Sequence, residues 1–370
     1  METSDIIASL DAFSAGLESE RDPVQVRLDT LGDTRVVLDA TDGVTRALLE
    51  LERTARRIPA ERRHPLLRIH EAVALTRLNG ELVHADTLLL ADLERTHSRI
   101  VGPTGTGLRA LRALRALDDP NTPSLETAFL HLDRDITEWP ADRGADPRVQ
   151  AIRRLVEKLE AIVGAEGPVL ARLYEVWRCV LDTPLPQSPI AGMAADTTHK
   201  LAGDDPAWLR QIDALNDTDP RRMFAAVALS WAAWRMGWTQ DRGLCTAAAL
   251  RAQPHPRAYP QTDRADKALA WMAQVCTQAA ELTRLEVIRI THALEQLEHD
   301  AGGHRDRSRT TLIDCLCARP VITAAQLAAD AGTTRPPALR FLNRLAGKGS
   351  CRWKGVRQTG RVAEASRLIG

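Results

Sequence analysis

Apolar residues recur at spacings of three and four along most of this chain, the period of a helix that buries one face. The pattern predicts helices over about 43–57, 64–78, 85–98, 108–117, 125–137, 147–163, 168–181, 206–215 and 219–236, then a much longer one over 264–300. A short apolar helix is expected over Ile6 to Phe13 and a single strand at Arg35-Val-Val-Leu38. Three interruptions punctuate the series. Gly102-Pro-Thr-Gly-Thr-Gly107 reads as a loop ahead of the helix that begins at Leu108. Pro184, Pro186 and Pro189 cannot continue a helix and mark a linker over 183–205. Gln253-Pro-His-Pro-Arg-Ala-Tyr-Pro260 breaks the chain again, and Gly302-Gly303 ends the long helix.

The last stretch carries the densest local signals. Arg307–Ala318 is predicted to be a helix with Leu312, Ile313 and Leu316 inward. Thr323 and Gln326 have the spacing of a capping box, in which hydroxyl and amide satisfy two orphan donors at a helix start. They open a second helix over Ala324–Asp330, and Gly332 supplies the turn after it. Thr334 is the predicted cap of a third helix, 335–346, with Pro336 and Pro337 in its first turn, where amides lack intrahelical partners.

At about 100° per residue, Ala338, Phe341, Leu342 and Leu345 share the packing face of that helix. Pro336, Arg340, Asn343 and Arg344 share the opposite one. Arginine and asparagine are suited to bidentate contacts with guanine and adenine edges. Thr334, Arg335 and Lys348 flank this face and join it as candidate DNA contacts. The segment Cys351-Arg-Trp-Lys-Gly-Val-Arg-Gln-Thr-Gly-Arg361 reads as a small hairpin, with Lys354, Arg357 and Arg361 near phosphate. Helix, turn, helix and hairpin together spell a winged helix-turn-helix. The plain alternative is a solvated face on an amphipathic helix.

Composition sharpens this picture. Ala, Leu and Arg dominate, so the fold class expected is all-α: helical bundles with a C-terminal winged helix-turn-helix. The proposed organisation is an N-terminal helical domain over 1–182, the linker, a bundle over 206–303 and the DNA-binding domain over 304–370. Net charge is zero overall, yet residues 1–50 hold eleven acidic residues against four arginines. Residues 301–370 hold eleven arginines and two lysines against three aspartates and one glutamate. A basic end on a neutral chain points towards a polyanion.

Other chemistry is weaker. The six cysteines form no C-x-x-C pair, so no zinc site and no other metal site is expected; buried reduced thiols account for them. The glycine run at 102–107 lacks the lysine that a phosphate-binding loop requires, and no cofactor is expected. His84 and Asp92, about two turns apart, could belong to a carboxylate–imidazole cluster but fit solvated positions better. Trp231, Trp234 and Trp238 fit an aromatic core better than a ligand pocket. The acidic start and the absence of a run of about 18 apolar residues predict a soluble cytoplasmic protein away from membranes.

The stretch Arg68-Ile-His-Glu-Ala-Val-Ala-Leu-Thr-Arg-Leu-Asn-Gly-Glu-Leu-Val-His-Ala-Asp-Thr-Leu-Leu-Leu-Ala-Asp92 resembles the uncharacterised DUF1612 domain of alphaproteobacterial, often plasmid-borne, proteins. Residues 307–347 are similar to the helix-turn-helix domain that accompanies it. The resemblance implies a DNA-binding regulator and supplies no catalytic residue. The first stretch is also distantly similar to the region preceding Fic domains. There Leu75, Asn79 and Gly80 stand where that family's inhibitory motif would, and the Fic catalytic motif is missing.

The expected function is sequence-specific binding of double-stranded DNA by a homodimer, in transcription or plasmid maintenance, and not catalysis. The alternatives are a degenerate Fic-like enzyme and an interaction scaffold that uses the winged helix.

Overall fold

The structure is a computed structural model that describes residues 31–93, 102–119, 122–133, 146–184, 221–240, 242–253, 265–302, 307–357 and 360–369. The helices expected at 6–13 and 206–215, nearly all of the 183–205 linker and the break after Gln253 lie outside those residues. Among the described residues the fold is mostly helical, with fourteen helices and a small C-terminal three-stranded antiparallel sheet.

The helices are α1 (Leu31–Ala55), α2 (Ala60–Leu78), α3 (Ala85–Leu93), α4 (Pro103–Leu117), α5 (Leu125–Leu132), α6 (Pro147–Gly164) and α7 (Val169–Asp182). They continue as α8 (Arg221–Arg235), α9 (Thr246–Ala252), α10 (Ala265–Ala301) and α11 (Arg307–Ala318). The C-terminal unit adds β1 (Val321–Thr323), α12 (Ala324–Asp330), α13 (Arg335–Gly347), β2 (Arg352–Arg357), β3 (Gly360–Glu364) and α14 (Ser366–Ile369).

Helix α10, 37 residues long, is the spine: α1 packs along it, and α2, α7, α9, α13 and α14 all touch it. Its length needs no internal breaker, because small and aliphatic residues such as Ala268, Met272, Ala279, Val287 and Ile290 keep one stripe buried. Helix α2 is the second hub, between α4, α9 and α11. The buried apolar side chains form one connected cluster from Val44 in α1 to Leu368 in α14. Phe129 and Phe224 meet edge to face at 4.8 Å, and Trp177 tilts against Trp271 at 5.5 Å. Trp231 is buried with them, while Trp234 is half-buried with the Arg242 guanidinium 4.2 Å above its ring.

Two expectations fail. Arg35–Leu38 is not a strand but part of α1, whose helical pattern runs unbroken from Leu31. Three adjacent β-capable residues weigh less than the period around them. Gly102–Gly107 is not a loop either. Gly102, at φ +78°, caps α4, Pro103 begins it, and the remaining residues form its first turns. Gly107 is buried, and a Cβ there would lie 3.1 Å from Leu88 Cδ1 and 3.3 Å from Val83 Cγ1. The glycines serve close helix packing.

Candidate nucleic-acid interface

The C-terminal unit is assembled from local signals that the chain spells out. Thr323 Oγ1 accepts from the Gln326 amide at 3.2 Å, and Gln326 Oε1 accepts from the Thr323 amide at 3.1 Å, closing the capping box of α12. That helix ends in a Schellman turn: Thr333 N–H donates to Ala328 C=O, Gly332 N–H donates to Ala329 C=O, and Gly332 takes φ +61°. Gly349, at φ +77°, ends α13 in the same way, with Ser350 N–H donating to Leu345 C=O. Thr334 holds the N-cap position with extended backbone, but its side chain makes no capping bond.

Ala338, Leu342 and Leu345 of α13 are fully buried and Phe341 nearly so, packed with Leu316, Ile322 and Leu327 in the main cluster. The opposite face is open. Thr334, Arg335, Pro336, Arg340, Asn343, Arg344 and Lys348 are all exposed. From Ala331 to Ala363 the sequence contains no acidic residue, so any carboxylate that meets this segment comes from elsewhere in the chain.

Strand β3 lies between β1 and β2, antiparallel to both, with Ile322 opposite Ala363 and Trp353 opposite Ala363 from the other side. Only the β2–β3 hairpin was legible in advance. Strand β1 is three residues long, and its partner lies some forty residues downstream, so no local pattern announces it. The hairpin register shifts between Lys354 and Val356, a bulge that bends the ribbon. Arg357 and Arg361 sit at the far end of the hairpin, opposite Gly360 and Val356 respectively.

Of the predicted contact residues, Thr334 and Pro336 are exposed, the side chains of Arg357 and Arg361 lie outside the described residues, and the other six divide into two sets. Arg335, Arg340, Asn343 and Lys348 make no side-chain hydrogen bond or ion pair among the described residues, and exposed Arg352, not singled out from sequence, is in the same state. Arg344 and Lys354 are engaged internally. Arg344 Nη1 donates to Ala301 C=O at 3.0 Å, beside Arg309, which donates to Gly302 C=O at 2.6 Å. Two guanidinium groups thus cover the negative end of α10. Lys354 lies between Glu364 at 3.0 Å and Asp86 of α3 at 3.2 Å, and these two partners raise its pKa.

Further ties hold the unit against the helical body. Arg62 of α2 bridges Asp314 at 2.6 Å and Glu298 at 2.7 Å, and the Ser350 hydroxyl donates to Asp300. The residues aligned with the Fic-like stretch are part of the packing: Leu75 is fully buried, Asn79 is the C-cap of α2, and Gly80 follows at φ +80°. Asp92 is held bidentately by Arg115. Among the described residues no group of three or more His, Cys, Asp or Glu side chains is placed to hold a metal ion, and no helix is long and apolar enough to cross a membrane.

Neither protein-family models nor curated proteins give a match to this chain. The functional reading therefore rests on the geometry.

Proposed function

We propose that this chain is a sequence-specific DNA-binding protein, a regulator of transcription or plasmid maintenance whose C-terminal unit is a winged helix-turn-helix. The observation that carries the reading is the outer face of α13, where Arg340 and Asn343 stand exposed and without a partner among the described residues, above a packed inner face. In this reading α13 enters the major groove, and Arg340 and Asn343 contact base edges. Arg335 at the helix start, with Lys348 and Arg352 beyond its end, meets phosphate. Arg344 fixes the helix to α10 and is not a base contact. A single such unit reads few base pairs, so the working form is a homodimer on two half-sites.

The test is selection from a randomised duplex library by the purified full chain, followed by anisotropy titration of the selected duplex from 50 to 300 mM salt. The expected result is an enriched motif and an affinity that falls steeply as salt rises. Absence of duplex binding at the lowest salt removes the reading.

A further inference from the structure

A second feature lies away from the outer face of α13. Helices α2, α9, α10 and α14, with His84 and Ala85 at the start of α3, line an open cleft of about 610 Å³, within the range of small-molecule sites. Apolar Ile69, Val73, Leu282 and Leu368 line it together with the cations Arg77, Arg251 and Arg289 and with His70 and His84; Val73 and Arg77 stand one turn apart on α2, so apolar and cationic positions are neighbours in the cleft. Its one carboxylate, Glu286, is already taken, because Arg289 clasps both of its oxygens at 2.6 to 3.0 Å.

Arg77 is the telling residue. The side chain is half-buried at the cleft, and its guanidinium has no hydrogen-bond or ion-pair partner among the described residues. A half-buried guanidinium without a counter-charge gains by pairing with an anion that enters the cleft. From this arrangement we infer that the cleft is a binding site for a small amphiphilic anion, a carboxylate or phosphate head paired with Arg77 and Arg251 and an apolar body against Val73 and Leu282.

The site reaches the C-terminal unit. Leu368 and Ile369 of α14 line the cleft, and Arg289 also donates to the carbonyls of Arg367 and Leu368 at 3.2 and 3.0 Å. Helix α14 directly follows β3, so a bound anion acts on the residues that hold the hairpin to α10. If the chain binds duplex as proposed, anion and duplex shift one another's affinity by the same factor.

The inference stands apart from the DNA reading and is tested without DNA. The full chain is melted with octanoate, octyl phosphate, octan-1-ol or inorganic phosphate, and any ligand that shifts Tm is titrated calorimetrically. At least one of the two amphiphilic anions is expected to raise Tm by a few degrees. Arg77→Gln and Arg251→Gln are expected to keep the ligand-free Tm within about 2 °C, since neither side chain has a partner among the described residues, and to weaken the anion by about tenfold or more. Three results overturn the inference: no Tm shift with either amphiphile, an equal shift with octan-1-ol or inorganic phosphate, or undiminished binding by both variants.

Discussion

Lys354 Nζ lies 3.2 Å from Asp86 Oδ2, so a hairpin cation that sequence reasoning assigns to phosphate instead joins the hairpin to the first turn of α3. Desolvation of Asp86 is outweighed by hydrogen bonds from Lys354 and Thr87, which hold its pKa below the usual carboxylate value. Both partners are more than a third exposed, so the bond is an exchangeable tether and contributes little to stability. A phosphate oxygen arriving at the hairpin competes with Asp86 for the same ammonium group.

Replacing the carboxylate tests that competition. Asp86→Asn is expected to free Lys354 on its α3 side and to strengthen duplex binding by about two- to fivefold at low salt, with a steeper salt dependence. Anisotropy titrations of both proteins measure it. Unchanged affinity with an unchanged salt slope would show that Lys354 takes no part in binding.

The two arginines on the outward side of α13 should separate by their effects. Arg340→Ala removes an exposed side chain with no partner among the described residues, so Tm should stay constant while discrimination at one base position falls by about 1–3 kcal/mol. Arg344→Ala leaves Ala301 C=O at the end of α10 without its donor, and should cost about 1 kcal/mol of stability. Denaturant melts paired with binding to single-base variants of the selected duplex distinguish the two. Equal loss of stability in both variants would contradict the division.

What was legible in the sequence is what is encoded within a turn or two of helix. The Thr323–Gln326 box, the Gly332 turn and the Ala338, Phe341, Leu342 and Leu345 stripe all depend on neighbours at most seven residues apart, and each stands in the structure as expected. The partners of the candidate site residues were hidden because they lie far off along the chain. Arg344 finds Ala301 across 43 residues and Lys354 finds Asp86 across 268. Outward position on a helical wheel says only that a side chain leaves its own helix. It does not say whether solvent or another element waits there.

Gly107 makes the same point from within the body. Its place in a glycine-rich run suggests a turn, yet the residue is needed because Leu88, Val83 and Thr76 approach within 3.1 to 3.4 Å of where a Cβ would sit. Gly107→Val is expected to destabilise the protein by about 1–3 kcal/mol through overpacking, despite the gain in helix propensity over glycine. Urea melts of the two proteins decide it, and a variant as stable as the parent would show that α2, α3 and α4 can spread at little cost.

Glu71 gives the body a pH signature. Its carboxylate projects from α2 into the start of α9, accepts from the Ala247 amide at 2.6 Å, and lies 3.1 Å from the Thr246 hydroxyl, while Oε2 has no hydrogen-bond partner among the described residues. Desolvation outweighs those hydrogen bonds and pushes its pKa up from 4.5 to about 7. A carboxyl whose folded pKa is raised stabilises the fold fully below its unfolded value. Between about pH 4.5 and 7 the unfolded chain gives up this proton while the folded chain keeps it, so stability falls as pH rises through that window and levels off above it. The loss attributable to this one group is on the order of 3 kcal/mol. Glu71→Gln keeps an acceptor for Ala247 and has no proton to lose. The variant should match the parent near pH 5 and exceed it near pH 8, as read from urea midpoints across the range. Parallel pH profiles for the two proteins would mean that the carboxylate is already ionised in the folded state at pH 5, its burial offset by the α9 amides.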